Sequence, residues 1–171
     1  MTPQNALAPN FAGSAESAGT DESVTIETRF GPLTFPHASV VRMPRGMLGF
    51  ADHQMFGLAD MPDANLAQFK VLQSMDDPAL SFIVLPLEAG VDVIQRADLI
   101  NACRLLKIEF ADSVTLLVVS TRLVGETTQI SVNLRAPIVL DAPNRRAWQF
   151  VLPNSQYPVR HVIANARRRD G

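Results

Sequence analysis

The strongest constraint on the fold is an alternation of apolar and polar residues with a period of two, which runs through most of the chain. Val24 and Ile26, for example, alternate with Thr25 and Glu27. A period of two places every second side chain on the same face of a β-strand. Proline, glycine, asparagine and aspartate separate the alternating runs, as they do in turns. The pattern predicts short strands at residues 24–29, 33–35, 40–43, 68–75, 80–85, 114–121, 127–134, 138–140 and 147–152.

One segment has a helical spacing instead. In residues 98–108, Leu99, Ala102 and Leu106 recur on one helix face, and Asp98 is placed to cap the helix start. No internal repeat and no alternation of strands with helices is visible, which disfavours a doubly wound nucleotide-binding fold. We therefore predict a mainly β fold, an antiparallel β-barrel-like single domain with one short helix.

The two ends differ from the body in composition. Residues 1–22 are rich in alanine, serine, glycine and proline and contain Phe11 as their only aromatic residue. Such a segment buries too little apolar surface to offset the entropy lost on ordering. Arg167, Arg168 and Arg169 lie close to the other end. We predict a flexible leader at residues 1–22, a folded domain at 23–163 and a basic, frayed tail at 164–171.

Composition excludes several classes of protein. Hydrophobic residues make up 47% of the 171 residues, enough for a core, and the formal net charge of −2 argues against a protein that coats nucleic acid. The single cysteine, Cys103, can form neither an internal disulfide nor a cysteine-based metal cluster. The densest apolar run, residues 114–119, is far shorter than the roughly 20 residues that span a bilayer. We expect a soluble, cytoplasmic protein with no membrane association.

No catalytic constellation stands out. Neither a metal-ligand spacing nor a nucleophile motif such as G-x-S-x-G is present, and the three histidines are isolated from one another: His37, His53 and His161. Asp76 and Asp77 could form an acid pair, but Pro78 follows them, and this order is more typical of a turn. We predict no enzymatic activity, no metal and no cofactor.

The loop after residue 43 has two possible roles. Gly46 and Gly49 supply backbone freedom there, and they flank or adjoin three large apolar residues, Met47, Leu48 and Phe50. These side chains either plug the end of the barrel or form an exposed contact patch.

Three stretches in series resemble the flagellar assembly factor FliW family. The first is VRMPRGMLGF at 41–50, and the second is LQSMDDPALSFIV at 72–84. The third, at 131–161, contains VNLRAPIVLD, then Asn144-Arg145, QFVL and YPVRH. Their order and spacing agree with the family from about residue 30 to residue 161. The first stretch departs from the family in Arg45, where an acid is usual, and in Met47-Leu48, where Leu-Pro is usual.

The resemblance implies a non-enzymatic regulator with a β-barrel-like fold and no cofactor. Members of this family bind flagellin in the cytoplasm and also bind the carbon storage regulator CsrA, an RNA-binding dimer that represses flagellin translation. Sequestration or allosteric inhibition of CsrA then relieves repression of flagellin mRNA. We expect both protein partners here, no direct contact with nucleic acid, and a monomer when free.

The resemblance also implies where the partners bind. The candidates are motif residues that a barrel would leave on loops: Arg45, Met47, Leu48, Phe50, Asp76, Asp77, Asn133, Arg135, Tyr157, Arg160 and His161. Tyrosine and arginine are common interface anchors. A structural role is the alternative, in which Asn133 and Arg135 order the Ala136-Pro137 bend and Tyr157 locks the last strand.

Two other functions stay open at this point. An RNA-binding β-barrel would need basic and aromatic residues together on one face, and Arg146, Trp148 and Phe150 form the one such group, although a core position suits the two aromatic residues better. A small-ligand-binding or flavin-binding barrel is the other alternative.

Overall fold

The computed structural model describes residues 22–88 and 91–167. Within these ranges the fold is mainly β with one α-helix, as predicted, together with three short 3₁₀ turns. The helix α1 is Arg96–Leu106. The strands are β1 Ser23–Thr28, β2 Gly31–Pro36, β3 Val40–Arg42, β4 Met55–Asp60, β5 Lys70–Ser74, β6 Ser81–Pro86, β7 Ser113–Val124, β8 Thr127–Val132, β9 Ile138–Asp141, β10 Arg146–Gln149 and β11 His161–Arg167.

Seven strands form a partly closed ring. The hydrogen-bonded order runs from β7 through β6, β5, β4, β3 and β10 to β9, and β9 pairs again with β7. All these pairings are antiparallel except β3 with β10, which are parallel and meet only at Arg42 and Arg146. We call this unit the ring.

Strand β7 belongs to two sheets at once. Its first half pairs with β9 over Ser113–Leu116, and its second half pairs with β8 over Val119–Val124. Strand β11 then pairs with the other edge of β8. We call residues 119–124 of β7, with β8 and β11, the extension, because these strands lie outside the ring. The chain passes from extension to ring through a corner at residues 133–137.

The hairpin of β1 and β2 forms a separate two-stranded sheet. It packs on the ring through Phe35, which is fully buried. A Cβ at Gly57 of β4 would lie 2.3 Å from Cδ1 of Phe35. Glycine at this position is therefore required by the close approach of an aromatic ring rather than by backbone angles.

Two cores lie on the two faces of the shared sheet. Leu116 and Ile138 point into the ring, where they join Phe56 and Val84. Their chain neighbours point the other way and pack beneath α1, in a cluster that includes Leu117, Val139, Leu99, Ala102 and Cys103. Burial on both faces explains why residues 114–119 form a nearly continuous apolar run.

Two strands were not predicted. In β4, alternation is weak because Phe56 and Gly57 are both buried. In β11, all but the first residue are exposed, so the strand is specified by pairing with β8 rather than by a buried face. It extends through residues 164–167, which were predicted to be frayed tail. Residues 1–21 of the predicted leader and 168–171 of the tail lie outside the described residues.

The helix begins and ends earlier than predicted. Its N-cap is Gln95 rather than Asp98, which lies in the first turn. It ends because Lys107 adopts a left-handed backbone with φ of 58°, and the N–H of Ile108 donates to the carbonyl of Cys103. Such a bond is typical of a helix C-terminus.

Candidate functional site

The structure divides the predicted contact residues into two groups. The first group lies on the β3–β4 loop, residues 43–54, and on the β5–β6 turn, residues 75–80. The second group lies at the corner and on the segment that leads into β11.

The β3–β4 loop contains both a plug and an exposed patch. Met47 is 3% exposed and belongs to the core of the ring, so its side chain is not presented on the surface. Leu48 and Phe50 are 57% and 40% exposed, and Arg45 is exposed beside them in the chain. Thus the two roles considered for this loop are divided among neighbouring residues.

The loop is held tightly against itself. Gly46 has a φ of +62°, and a Cβ there would lie 2.4 Å from the carbonyl oxygen of Phe50. The N–H of Phe50 donates to the carbonyl of Met47. The ring of Phe50 meets Phe82 of β6 edge-on, with ring centroids 5.5 Å apart. The exposed apolar side chains therefore stand on a fixed backbone, which lowers the entropy cost of binding a partner.

The β5–β6 turn is built by two buried polar residues that precede it. The side-chain amide of Gln73 donates to the carbonyls of Ser74, Asp77 and Leu80, each at 3.0 Å. The hydroxyl of Ser74 accepts from the N–H groups of Asp76 and Asp77. The turn predicted from the Asp-Asp-Pro order is confirmed, since Asp77 Oδ1 also accepts from the N–H of Ala79. Asp76 is left exposed.

One contact links this turn to the loop. The hydroxyl of Ser74 lies 3.4 Å from Nδ1 of His53, the residue that follows Asp52 at the end of the loop. Phe50 and His53 are also close, with ring centroids 6.4 Å apart. The two motif stretches at 41–50 and 72–84 are therefore brought to one end of the ring.

The corner is held by Asn133 and Arg135. Asn133 Oδ1 accepts from the N–H groups of Arg135 and Ala136, each at 3.0 Å, which fixes the bend. The guanidinium of Arg135 donates to the carbonyls of Tyr157 and Ser155. Both side chains thus have a structural role, which was the alternative to partner binding for these two residues.

Tyr157 is buried and ties the segment before β11 to the start of α1. Its hydroxyl donates to Oδ2 of Asp98 and accepts from the N–H of Gln95. Burial, followed by the hydrogen bond to the Asp98 carboxylate, raises the pKa of Tyr157 above its usual value. Arg160 is exposed and His161 is half-buried at the first position of β11.

A residue that the sequence analysis did not select joins the two groups. Gln149, at the end of β10, accepts from the N–H of Leu48 at 2.9 Å and donates to the carbonyl of Ala136 at 3.2 Å. Its side chain therefore bridges the loop and the corner. The signal in the sequence is a lone glutamine within the QFVL stretch, at a strand position where an apolar residue would be usual.

The group considered for RNA stacking is mostly packed inward. Trp148 and Phe150 pack against the core beneath α1. The guanidinium of Arg146 lies 5.5 Å from the Trp148 ring centroid and also pairs with Asp141. The aromatic faces are thus occupied by the protein itself, as expected for core positions.

The described residues lack two kinds of feature, metal-binding groups and membrane-spanning helices. They contain no group of three or more His, Cys, Asp or Glu side chains placed to hold a metal ion. No helix in residues 22–88 and 91–167 has the length and hydropathy needed to cross a bilayer. The arrangement is a mainly β domain with an anchored, partly apolar loop at one end of its ring.

Comparisons with known proteins identify the family. The family model described as FliW protein matches residues 24–163. The chain is 37% identical over 135 residues to "Flagellar assembly factor FliW" of Geotalea uraniireducens, covering 78% of this chain and 80% of that protein. It is 31% identical over 149 residues to the protein of the same name from Syntrophus aciditrophicus, covering 82% and 87%. The chain belongs to the FliW family.

A solved structure agrees with this assignment. The fold matches a crystal structure of the flagellar assembly factor FliW with a TM-score of 0.64 and 26% sequence identity, covering 81% of this chain and 96% of that one. The relatives are named as assembly factors, which is a regulatory role and not the name of an enzyme.

Proposed function

We propose that this chain is a cytoplasmic, non-enzymatic regulator of flagellar assembly that binds flagellin and antagonises CsrA. Binding or allosteric inhibition of CsrA would relieve repression of flagellin mRNA. The observation that carries the proposal is the match of the FliW family over residues 24–163, which spans the ring, the helix and most of the extension. The partners themselves come from the resemblance.

The loop end of the ring is the contact surface that we favour. Leu48 and Phe50 are exposed there on a backbone fixed by Gly46 and by the buried side chain of Met47. Apolar side chains held in place before binding are the usual anchors of a protein interface. Arg45 and Asp76 add exposed charges of both signs around these anchors, which would orient a partner.

Three of the other candidates support this surface from beneath or beside it. Met47 fills the ring beneath the loop, whereas Asn133 and Arg135 hold the corner to which Gln149 joins the loop. Substitution of these residues would weaken binding by displacing the loop. Loss of a direct contact would not be the cause.

The test is calorimetric titration of the purified full chain with flagellin and, separately, with CsrA from the same organism. Leu48→Asp is the variant, and Leu105→Asp is its matched control because Leu105 is exposed to a similar degree, 63%, but lies on α1. We expect Leu48→Asp to weaken binding of at least one partner by about tenfold or more, because it places a charge in an apolar contact. The control should bind within about twofold of the unmodified chain.

The proposed antagonism of CsrA is tested by a separate measurement, the binding of CsrA to RNA. We expect the chain to reduce binding of CsrA to the leader of flagellin mRNA, and flagellin to restore it. If the folded chain binds neither protein, the proposed function is wrong. If both variants bind as tightly as the unmodified chain, the function stands but the contact surface lies elsewhere.

Direct RNA binding is the second candidate. The inward packing of Trp148 and Phe150 argues against it, since single-stranded RNA is usually held by stacking on exposed aromatic rings. The same titration with the mRNA leader in place of a protein would reveal it.

A further inference from the structure

The extension has an open edge. Strand β11 pairs with β8 along its length, and the part of the chain that the structure describes places no strand on its other side. An edge strand presents unpaired N–H and C=O groups that can pair with a further strand. A bulge interrupts the register between Val162 and Ala164, so that pairing is regular from Ala164 to Arg167. A regular edge of this kind is where peptides add to a sheet.

The extension is basic although the chain as a whole is acidic. Residues 119–132 and 160–167 contain three arginines and one glutamate, a net charge of +2. The net charge of the whole chain is −2, so the remaining residues carry −4. Arg160 and Arg167 lie at or beside the two ends of β11, and both are exposed. Like charges repel, so an edge-to-edge pairing of two copies of this chain would be opposed and an acidic strand favoured.

An apolar cleft adjoins the start of the same strand. Its volume is about 340 Å³, and His161 and Ile163 of β11 line it together with Leu85, Leu87 and Val132, while Glu88 contributes the one carboxylate of the lining. Ile163 and Val162 are both about 40% exposed. A cleft of this size and lining accepts one large apolar side chain from a ligand that runs along the strand.

From these three observations we propose that β11 receives an extended, acidic segment of a protein partner, which adds a strand to the extension and inserts one apolar side chain into the cleft. A nucleic acid fits less well, because residues 119–132 and 160–169 contain no Phe, Tyr or Trp on which bases could stack. The proposal concerns the chemistry of the segment and does not depend on which protein supplies it.

The test uses a synthetic probe and the full chain. The isotope-labelled protein is titrated by NMR with the peptide acetyl-Glu-Val-Glu-Phe-Glu-Val-Glu-amide, up to millimolar concentration. The control peptide has lysine in place of every glutamate. We expect the acidic peptide to shift and protect the amides of residues 161–167 and to shift those that line the cleft. Its affinity should fall as salt rises, and the lysine peptide should have no such effect.

Charge reversal locates the site. The double variant Arg160→Glu/Arg167→Glu should weaken peptide binding by about fivefold or more, since two exposed attractions become repulsions. The double variant Arg104→Glu/Lys107→Glu is the matched control, because it changes the net charge equally on exposed residues of α1 and its C-cap. The control should bind within about twofold of the unmodified chain.

Four results would overturn the proposal. The first is that the acidic peptide causes no chemical-shift changes, or causes them only away from β11. The second is a concentration-dependent shift of β11 without peptide, which would indicate a second copy as the occupant. The third is binding of a ten-nucleotide RNA, but not the acidic peptide, at the extension. The fourth is peptide binding only after residues 2–21 are deleted, which would indicate that the acidic leader of this chain occupies the edge itself.

Discussion

The two halves of strand β7 have similar residues and opposite surroundings. Residues 115–118 lie between two cores, with Leu116 facing the ring and Leu117 facing α1. Residues 119–124 continue the same strand into the extension, where Leu123 is 60% and Val124 is 49% exposed. The first half gains stability by burial on both faces, whereas the second half keeps apolar and basic groups at the surface. The difference in burial comes from the strands that pair with each half, β9 with the first and β8 with the second, and not from composition.

The largest expected effect compares two leucines of this one strand. Leu117→Ala removes a side chain that is 2% exposed and should lower the free energy of unfolding by about 2 to 5 kcal/mol. Leu123→Ala removes a side chain that is 60% exposed and should change it by less than about 0.5 kcal/mol. Urea unfolding followed by circular dichroism measures both.

The result for Leu123→Ala could contradict the difference in burial between the two halves of β7. A loss above about 1.5 kcal/mol for Leu123→Ala would mean that the extension is buried in solution. The side chain would then be covered by a second copy or by residues outside the described ranges. Dependence of that loss on protein concentration would identify the second copy.

Much of the ring could be predicted from sequence because its strands alternate clearly or are wholly apolar. The sequence pattern did not predict β4, because Gly57 has no side chain at a position where one would show the alternation of a strand. Glycine is needed there because a Cβ would clash with the ring of Phe35. Strand β11 was missed for a different reason: nothing in it is deeply buried, so its position depends on β8. Tertiary pairing overrides local pattern at both places.

The sequence predicts which stretches form the candidate site, but it does not predict the structural role of each residue in them. Sequence could not separate Met47 from Leu48, because adjacent apolar residues in a loop face opposite ways only once the backbone is fixed. The sequence did not indicate roles for Gln73 and Gln149, because no sequence pattern identifies an isolated glutamine as structural. Each nevertheless makes hydrogen bonds that shape the site. Motif residues of this kind preserve turn geometry as much as contact surface.

A smaller effect concerns the corner between extension and ring. Asn133→Ala removes the acceptor for the N–H groups of Arg135 and Ala136, and should cost about 1 to 2 kcal/mol. Because the corner joins β8 to β9, amide hydrogen exchange in β8 and β11 should also rise. Asn165→Ala on exposed β11 is the matched control and should stay within about 0.5 kcal/mol.

An equal rise in exchange across all strands of the ring would contradict this assignment for Asn133. It would mean that the corner is part of one cooperative unit with both regions. A rise confined to β8 and β11 would show that the extension opens independently, which suits a surface that must accept a further strand.

An effect of similar size concerns Tyr157, which fixes the segment leading into β11 against α1. Tyr157→Phe removes its hydrogen bonds to Asp98 and to the N–H of Gln95, and should cost about 1 to 2 kcal/mol near pH 8. The pKa of Tyr157 is raised in the folded protein, so its contribution is fully present below the ordinary tyrosine pKa of about 10. The contribution is lost as pH rises through the folded value, and the difference between the two proteins should shrink there.

The titration of this residue can be followed directly because Tyr157 is the only tyrosine in the chain. Its phenolate absorbance should rise at a higher pH in the folded protein than in urea, and the loss of stability should follow the same curve. A folded pKa at or below the value in urea would contradict the buried hydrogen-bonded hydroxyl. The segment before β11 would then be held by Arg135 and by the N–H of Leu134, which donates to the carbonyl of Pro158, and Arg135→Ala should disturb it more than Tyr157→Phe.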